Sequence, residues 1–185
     1  MRDWEPDGPA LAKMNLGGIA ILAAGLVGYG AIWSVATGAS EATFDGWDVL
    51  IAVIATFSLM VVHEGVHGVA VAAFGGKPVF GATMIGNAMP AFYCTSIGNR
   101  FTKAQFLAIA LAPAVVLGIG TAIAIAWLPS SGWLVVPAAL HLGGCVGDFV
   151  MARIVARLPS GSLVEDRKSG MRLYLPTGEA VPESA

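Results

Sequence analysis

Charged side chains are scarce in this sequence. Lys, Arg, Asp and Glu account for 12% of its 185 residues and hydrophobic residues for 56%, whereas a soluble domain usually has about 25% charged residues. So few charges cannot cover a surface that faces water, which excludes an ordinary soluble domain and a disordered chain. Cys94 and Cys145 are too few for a disulfide framework. The net charge of −2 gives no electrostatic basis for binding nucleic acid.

What the sequence does contain is a set of long apolar runs. Each is close to the roughly 20 residues that an α-helix needs to cross a bilayer, and the first is longer than the apolar region of a cleaved signal peptide. We therefore predict an all-α membrane protein whose residues 1–160 form a four-helix transmembrane domain. The glycines of the first span are predicted to permit close helix packing; they are Gly17, Gly18, Gly25, Gly28 and Gly30. The predicted spans are Met14–Ala36, Val49–Phe74, Ala104–Leu128 and Trp133–Ala152.

Two segments outside the spans are predicted to form short β-hairpins at the cytoplasmic membrane surface. In the loop 75–102, the alternating runs Val79–Ile85 and Ala91–Ile97 predict two strands. In the cytoplasmic tail 161–185, short apolar runs flank a polar turn at Asp166–Gly170, which predicts a second hairpin. We expect the last nine residues of the tail, which are mostly small, polar or acidic, to be disordered.

The basic residues indicate an orientation. Residues 37–48 and 129–132, which connect the first two spans and the last two, contain no Lys or Arg, so all ten basic residues lie at the opposite ends of the spans. Cytoplasmic loops of membrane proteins are enriched in Lys and Arg. The sequence therefore predicts a multi-pass protein of the cell membrane with both termini and the middle loop in the cytoplasm.

The second predicted span contains the motif His63-Glu64-Gly65-Val66-His67. On a helix, His63 and His67 lie one turn apart on one face, so both imidazoles can bind a single Zn²⁺ ion. Such an ion would lower the pKa of a water molecule and polarise a carbonyl group, and Glu64 is placed to act as the general base. Ionisable groups within a membrane helix are costly and usually mark function.

Zinc held by two histidines needs a third protein ligand, and the fourth span offers Asp148, Cys145 and His141. Asp148 is our first choice: it lies 15 residues from the outer end of its span and His63 lies 14 from its own, which places both roughly 21–22 Å deep. Cys145 is an alternative ligand, although a cysteine after two glycines is often a packing residue. His141 lies roughly 10 Å farther outward; it could orient a ligand or the substrate, as could Asn87, or it could simply pack.

Two other interpretations stay open. In the first, Glu64 and His67 only form hydrogen bonds with neighbouring helices. In the second, the chain is a non-catalytic metal-binding protein or a membrane protein that translocates ions or protons, because such pathways also use buried acids and histidines. Glu64 and Asp148 lie at matching depth beside the two motif histidines, which favours a site over a path across the membrane.

This arrangement of residues resembles a known class of enzymes. His63–His67 with a later intramembrane Asp is similar to the site-2 protease class of intramembrane zinc metalloproteases. The sequence from about 61 to 176 more closely resembles a family of small bacterial and archaeal membrane proteins described as zincin peptidases, although Gly147-Asp148-Phe149 stands where site-2 proteases usually have Leu-Asp-Gly. The resemblance implies that His63, His67 and Asp148 bind zinc and that Glu64 is the catalytic base.

The resemblance also implies a substrate. The chain would be an endopeptidase that cuts transmembrane or membrane-adjacent peptide segments near the cytoplasmic face. The hairpin predicted in the loop 75–102 would present a strand edge to an unfolded substrate segment, so that strand addition exposes the scissile amide.

Overall fold

The computed structural model describes residues 1–39, 41, 43–85, 89–128, 130–167 and 170–176, and the side chains of these residues outside 83–91. The described chain is mostly helical, and four helical segments are long and apolar enough to cross a membrane. They are α1 (Gly8–Thr37), α2 (Gly46–Ala73), α3 (Lys103–Trp127), and a fourth segment made of a 3₁₀ turn (Ser131–Leu134), α4 (Val135–Gly144) and α5 (Val146–Ala156).

The predicted set of four long helices is confirmed, but two of them begin well before their apolar runs. The reason is N-terminal capping, which hydropathy does not detect. The Asp7 carboxylate accepts a hydrogen bond from the backbone N–H of Ala10 at 2.8 Å, and Asp45 accepts bonds from Trp47 and Asp48 at 2.8 and 2.9 Å. Each cap satisfies amide groups that a helix N-terminus otherwise leaves without a partner.

The fourth span was predicted as Trp133–Ala152. Its helical segment runs from Ser131 to Ala156 and is interrupted at Cys145. Gly143 and Gly144, both poor helix formers, precede the interruption. The Cys145 backbone N–H is shared between the carbonyl oxygens of His141 and Leu142, each at 3.2 Å. The helix therefore stops after Gly144 and a new one, α5, begins at Val146.

One compact unit comprises Lys13–His63 and Pro113–Val146. Glycines bring α1 close to α4: a Cβ atom at Gly18 would lie 3.1 Å from the Gly143 carbonyl oxygen, and one at Gly25 would lie 3.2 Å from Ala139 Cα. The predicted packing role is thus confirmed for Gly18 and Gly25, whereas no described atom beyond the local helix backbone lies within 4 Å of a Cβ atom placed at Gly28 or Gly30. The buried core of this unit consists of Tyr29, Ile125, Leu134, Ala138 and Ala139.

The other unit comprises Met1–Ala12, Glu64–Ala112 and Gly147–Ala185, and its described part holds two antiparallel sheets. The larger sheet has the strand order β1-β6-β5-β4, and the smaller one is the hairpin β2–β3. Val164, Met171 and Leu173 from the larger sheet share one buried cluster with Val71 of α2 and Phe106 of α3. The strands are β1 (Arg2–Trp4), β2 (Val79–Ile85), β3 (Met89–Thr95), β4 (Phe101–Thr102), β5 (Leu163–Arg167) and β6 (Gly170–Tyr174).

Both predicted hairpins form, although some strand boundaries differ from prediction. β3 ends at Thr95 rather than Ile97, because a turn follows in which Asn99 N–H donates to the Ser96 carbonyl at 3.2 Å and Gly98 has a φ of +83°. Strand β5 continues through Arg167, so the predicted turn began too early. Strands β1 and β4, of three and two residues, were not predicted because such short runs carry no periodic pattern. The predictions for 177–185 and for Asn87 lie outside the described residues.

Candidate metal centre

Helix α2 is continuous through the His-Glu-x-x-His motif. His63 and His67 therefore lie on successive turns, with Glu64 directly after His63. The next residue after the motif, Gly68, is buried against the aromatic ring of Phe80 in β2, and a Cβ atom at Gly68 would clash with that ring. The hairpin β2–β3 thus packs against α2 immediately beside the motif.

His67 has a defined hydrogen-bond partner on one ring nitrogen. Its Nδ1 lies 3.0 Å from the backbone carbonyl oxygen of Ile109 in α3. A carbonyl oxygen can only accept, so Nδ1 must carry the proton and donate it. Metal-binding histidines almost always donate their second ring nitrogen in this way, which leaves the other nitrogen as the ligand atom.

The other ring nitrogen of His67 faces a carboxylate. Nε2 lies 3.4 Å from Oδ1 of Asp148, whose side chain is buried. Asp148 stands in the first turn of α5, just after the interruption at Cys145, where the helix dipole favours a negative charge. Imidazole nitrogen and carboxylate oxygen are both ligand atoms that zinc binds.

His63 has a second set of neighbours. Its Nδ1 lies 3.1 Å from Nε2 of His141, and Cys145 Sγ lies 3.9 Å from His63 Nδ1 and 3.8 Å from His141 Nε2. One ligand atom from each of these three residues falls within 4.8 Å of the other two, so this trio could also hold a metal ion. Sequence reasoning considered Cys145 and His141 as alternatives to Asp148 for the third ligand with His63 and His67, and it did not anticipate this trio.

Residue counting in an uninterrupted helix put His141 roughly 10 Å outward of Asp148, yet its imidazole lies beside that of His63. The two imidazoles are in hydrogen-bond contact at 3.1 Å. Counting residues from the ends of apolar runs assumes straight, parallel helices. The interruption at Cys145 removes that condition for the fourth helical segment.

The strands add acidic and thiol groups near the motif. The pKa of Cys94 in β3 is raised to about 11, mainly by burial and also by the carboxylates of Glu64 and Asp166. Burial also raises the pKa of Asp166 in β5, and with the partly offsetting effects of the Thr95 hydroxyl and the His67 imidazole the pKa is about 7. Sequence reasoning placed Asp166 in a polar turn, and no local pattern indicated that β5 would bring it towards His67.

The raised pKa of Asp166 predicts a pH dependence of stability. The carboxyl group loses its proton near pH 7 in the folded chain and at its usual 3.8 in the unfolded one. Its stabilising contribution is therefore complete below pH 4 and is lost as the pH rises to 7, by at most about 1.4 kcal/mol per pH unit. Compared with Asp166→Asn, the wild type should lose thermal stability in detergent between about pH 4.5 and about pH 7.5.

Asp3 provides a control, because its contribution to stability has the opposite dependence on pH. The Arg172 guanidinium, which contacts the Asp3 carboxylate at 2.5 and 2.6 Å, holds the pKa of Asp3 below its usual value. Its contribution is present at neutral pH and is lost on acidification, so Asp3→Asn should cost stability at neutral pH only. A difference between wild type and Asp166→Asn that stays constant across the pH range would contradict the prediction for Asp166.

A comparison with known families adds independent information. The profile of the family described as "Putative zincin peptidase" matches residues 56–163, which is more than half of the chain. The match includes the motif on α2, the hairpin β2–β3, α3 and Asp148. No curated protein and no solved structure matches significantly. The family resemblance inferred from the motif is thereby confirmed: the chain belongs to the zincin peptidase family.

Proposed function

We propose that this protein is an intramembrane zinc endopeptidase of the site-2 protease type. The observation that carries the proposal is the arrangement of His67, whose Nδ1 donates to the Ile109 carbonyl while Nε2 faces the Asp148 carboxylate. This is the hydrogen-bond pattern of a histidine prepared to bind a metal ion. Membership of the zincin peptidase family supports zinc as the ion and peptide hydrolysis as the reaction.

The ligands that we propose are His63, His67 and Asp148. The two histidines occupy successive turns of α2, so their imidazoles project from one side of the helix. Two histidines and one carboxylate are a ligand set of catalytic zinc sites, in which the fourth position is left open. The contact of His141 Nε2 with His63 Nδ1 then gives His141 the task of orienting His63.

In this mechanism zinc supplies Lewis-acid chemistry, polarising the scissile carbonyl and making water more acidic. Glu64 accepts a proton from the water molecule whose oxygen adds to the carbonyl carbon. It then returns this proton to the amide nitrogen as the C–N bond breaks. The products are one peptide with a new carboxyl group and one with a new amino group, and Glu64 is again ionised.

The hairpin β2–β3 is the element that we propose for substrate binding. Phe80 packs on Gly68, next to the motif, and the pKa of Cys94 responds to the charge of Glu64, so both strands lie near the catalytic base. Among the described residues, these two strands pair only with each other, which leaves both hairpin edges available. A substrate segment added to an edge would be extended, and an extended backbone exposes the amide that is to be cut.

We further propose that the four long helices lie in the cell membrane with both termini in the cytoplasm. All ten basic residues lie outside the segments 37–48 and 129–132, which we assign to the outer face. With this orientation β2–β3 and the larger sheet are cytoplasmic, and the substrate is cut near the cytoplasmic face. A transmembrane or membrane-adjacent peptide segment is the substrate class that fits this location.

The rival function, translocation of ions or protons, predicts polar side chains spread along a path. Apart from Lys103 and Gln105 in its first turn, the described part of α3 offers only Thr121, whose hydroxyl donates to the carbonyl oxygens of Leu117 and Gly118 within the helix. The pairs His67–Asp148 and His63–His141 instead concentrate polar groups on α2 and its neighbours. This distribution supports a localised site.

The decisive experiment uses the wild-type protein purified in detergent without chelators. We expect it to contain about one zinc ion per chain and to cleave a model transmembrane peptide, because catalytic zinc is required for the water chemistry. A chelator such as phenanthroline should abolish cleavage, and added zinc should restore it. Protein that contains zinc but cleaves no peptide would instead support a non-catalytic metal-binding function, whereas protein that never binds zinc would refute the proposal.

A further inference from the structure

The proline inside α3 affects a specific carbonyl group. In an α-helix, the N–H of each residue donates to the carbonyl oxygen four residues earlier. Pro113 lies in the interior of α3 and has no N–H, so the Ile109 carbonyl lacks its normal helical donor. The proline ring also crowds that same carbonyl and turns it away from the helix axis. Pro113 thus creates an acceptor on the side of α3.

This acceptor is the one that His67 uses. His67 Nδ1 lies 3.0 Å from the Ile109 carbonyl oxygen. Ile109 is 7% exposed and the adjacent Ala110 only 3%, so water has little access to this part of the helix. A buried backbone oxygen without a donor is costly in apolar surroundings, and the imidazole N–H removes that cost. The N–H of His67 therefore supplies the hydrogen bond that the Ile109 carbonyl does not receive within α3.

We propose that Pro113 is a positioning residue for the metal centre: by withholding the N–H that would occupy the Ile109 carbonyl, it keeps the proton of neutral His67 on Nδ1. Nε2, which lies 3.4 Å from Asp148 Oδ1, is then the nitrogen left to bind a metal ion. The inference rests on the proposed function in one respect, since it takes His67 Nε2 as a zinc ligand atom. The tautomer itself is a property of the metal-free chain and can be measured without zinc.

The test compares two replacements at one position. Pro113→Ala restores the N–H, whereas lactic acid, the α-hydroxy analogue of alanine, introduces an ester that has neither the N–H nor the ring. We expect Pro113→Ala to weaken zinc binding by about 10–100-fold, the usual effect of losing a group that orients a ligand. The lactic acid variant should bind zinc within about two-fold of wild type. Both variants are checked for cooperative thermal unfolding in detergent.

A second readout needs no metal. The chain has three histidines, so the imidazole ¹⁵N resonances of metal-free protein can be assigned with His67→Ala as reference. We expect neutral His67 to be protonated on Nδ1 in wild type and in the ester variant, and to become a mixture of tautomers in Pro113→Ala. If Pro113→Ala keeps both the Nδ1 tautomer and the zinc affinity of wild type, the inference is wrong.

The two proposals can fail separately. If the ester variant behaves like Pro113→Ala, the ring shape and not the missing N–H is responsible, which also overturns the inference. If wild type binds no zinc yet shows the tautomer change in Pro113→Ala, the proposed function fails while the effect of Pro113 on His67 stands. Unfolding of the alanine variant leaves the ester variant as the test, because the inference requires it to match wild type.

Discussion

Replacing Glu64 by Gln should lower kcat for peptide cleavage by about 10²–10⁴-fold, the usual contribution of a general base. The amide of Gln is close in size to the carboxylate but cannot take a proton from water. Because Glu64 is not among the proposed ligands, zinc content should stay at the wild-type level. The measurement is cleavage of a model transmembrane peptide, together with metal analysis of the same preparation.

Glu41→Gln is the matched control, since it makes the same chemical change at an exposed residue in the segment 37–48. It should leave kcat unchanged. Full hydrolytic activity in Glu64→Gln would refute the proposed mechanism. Loss of zinc along with activity would show that Glu64 supports the metal site itself, which also contradicts its assignment as the base.

The ligand assignment predicts the second large effect, and it separates the two possible metal-binding groups. His67→Ala and Asp148→Asn should each weaken zinc binding by more than about 100-fold, because losing a ligand costs more than the 10–100-fold loss of a group that orients one. Cys145→Ser should bind zinc like wild type. Zinc titration of each variant by calorimetry or with a competing chelator measures the difference.

The trio of His63, His141 and Cys145 predicts the reverse. If it holds the zinc, Cys145→Ser loses affinity while Asp148→Asn keeps it. His63→Ala removes a residue common to both groups and should lose zinc in either case, so it confirms that the assay detects ligand loss. Unchanged affinity in both His67→Ala and Asp148→Asn would refute the proposed ligands.

The fold was predictable where a single strong signal dominates. Apolar runs of about 20 residues identify membrane-crossing helices because few other structures require them. Helix ends were less predictable, since Asp7 and Asp45 extend α1 and α2 by capping rather than by hydropathy. Strands β1 and β4 are short and depend on partners far along the chain, so they have no local signal.

In the candidate site, too, local features were predictable and long-range contacts were not. The spacing of His63 and His67 is local, so the motif alone predicted that both lie on one helix face. The hydrogen bond from His67 to Ile109 joins residues 42 positions apart and depends on a backbone carbonyl, which no side-chain motif can specify. The contact of His141 with His63 was not predicted, because residue counting does not give the course of an interrupted helix, and the fourth helical segment is interrupted at Cys145.

The larger sheet can form completely only after all four long helices have been synthesised. β5 and β6 follow all four long helices in the chain, yet Val164, Met171 and Leu173 share a buried cluster with Val71 of α2. A ribosome delivers the helices in sequence, so α2 is synthesised well before residues 163–174. A nascent chain that has not reached β5 therefore leaves this cluster open. Synthesis of the histidine-bearing helix and closure of the core beside it are therefore separate events.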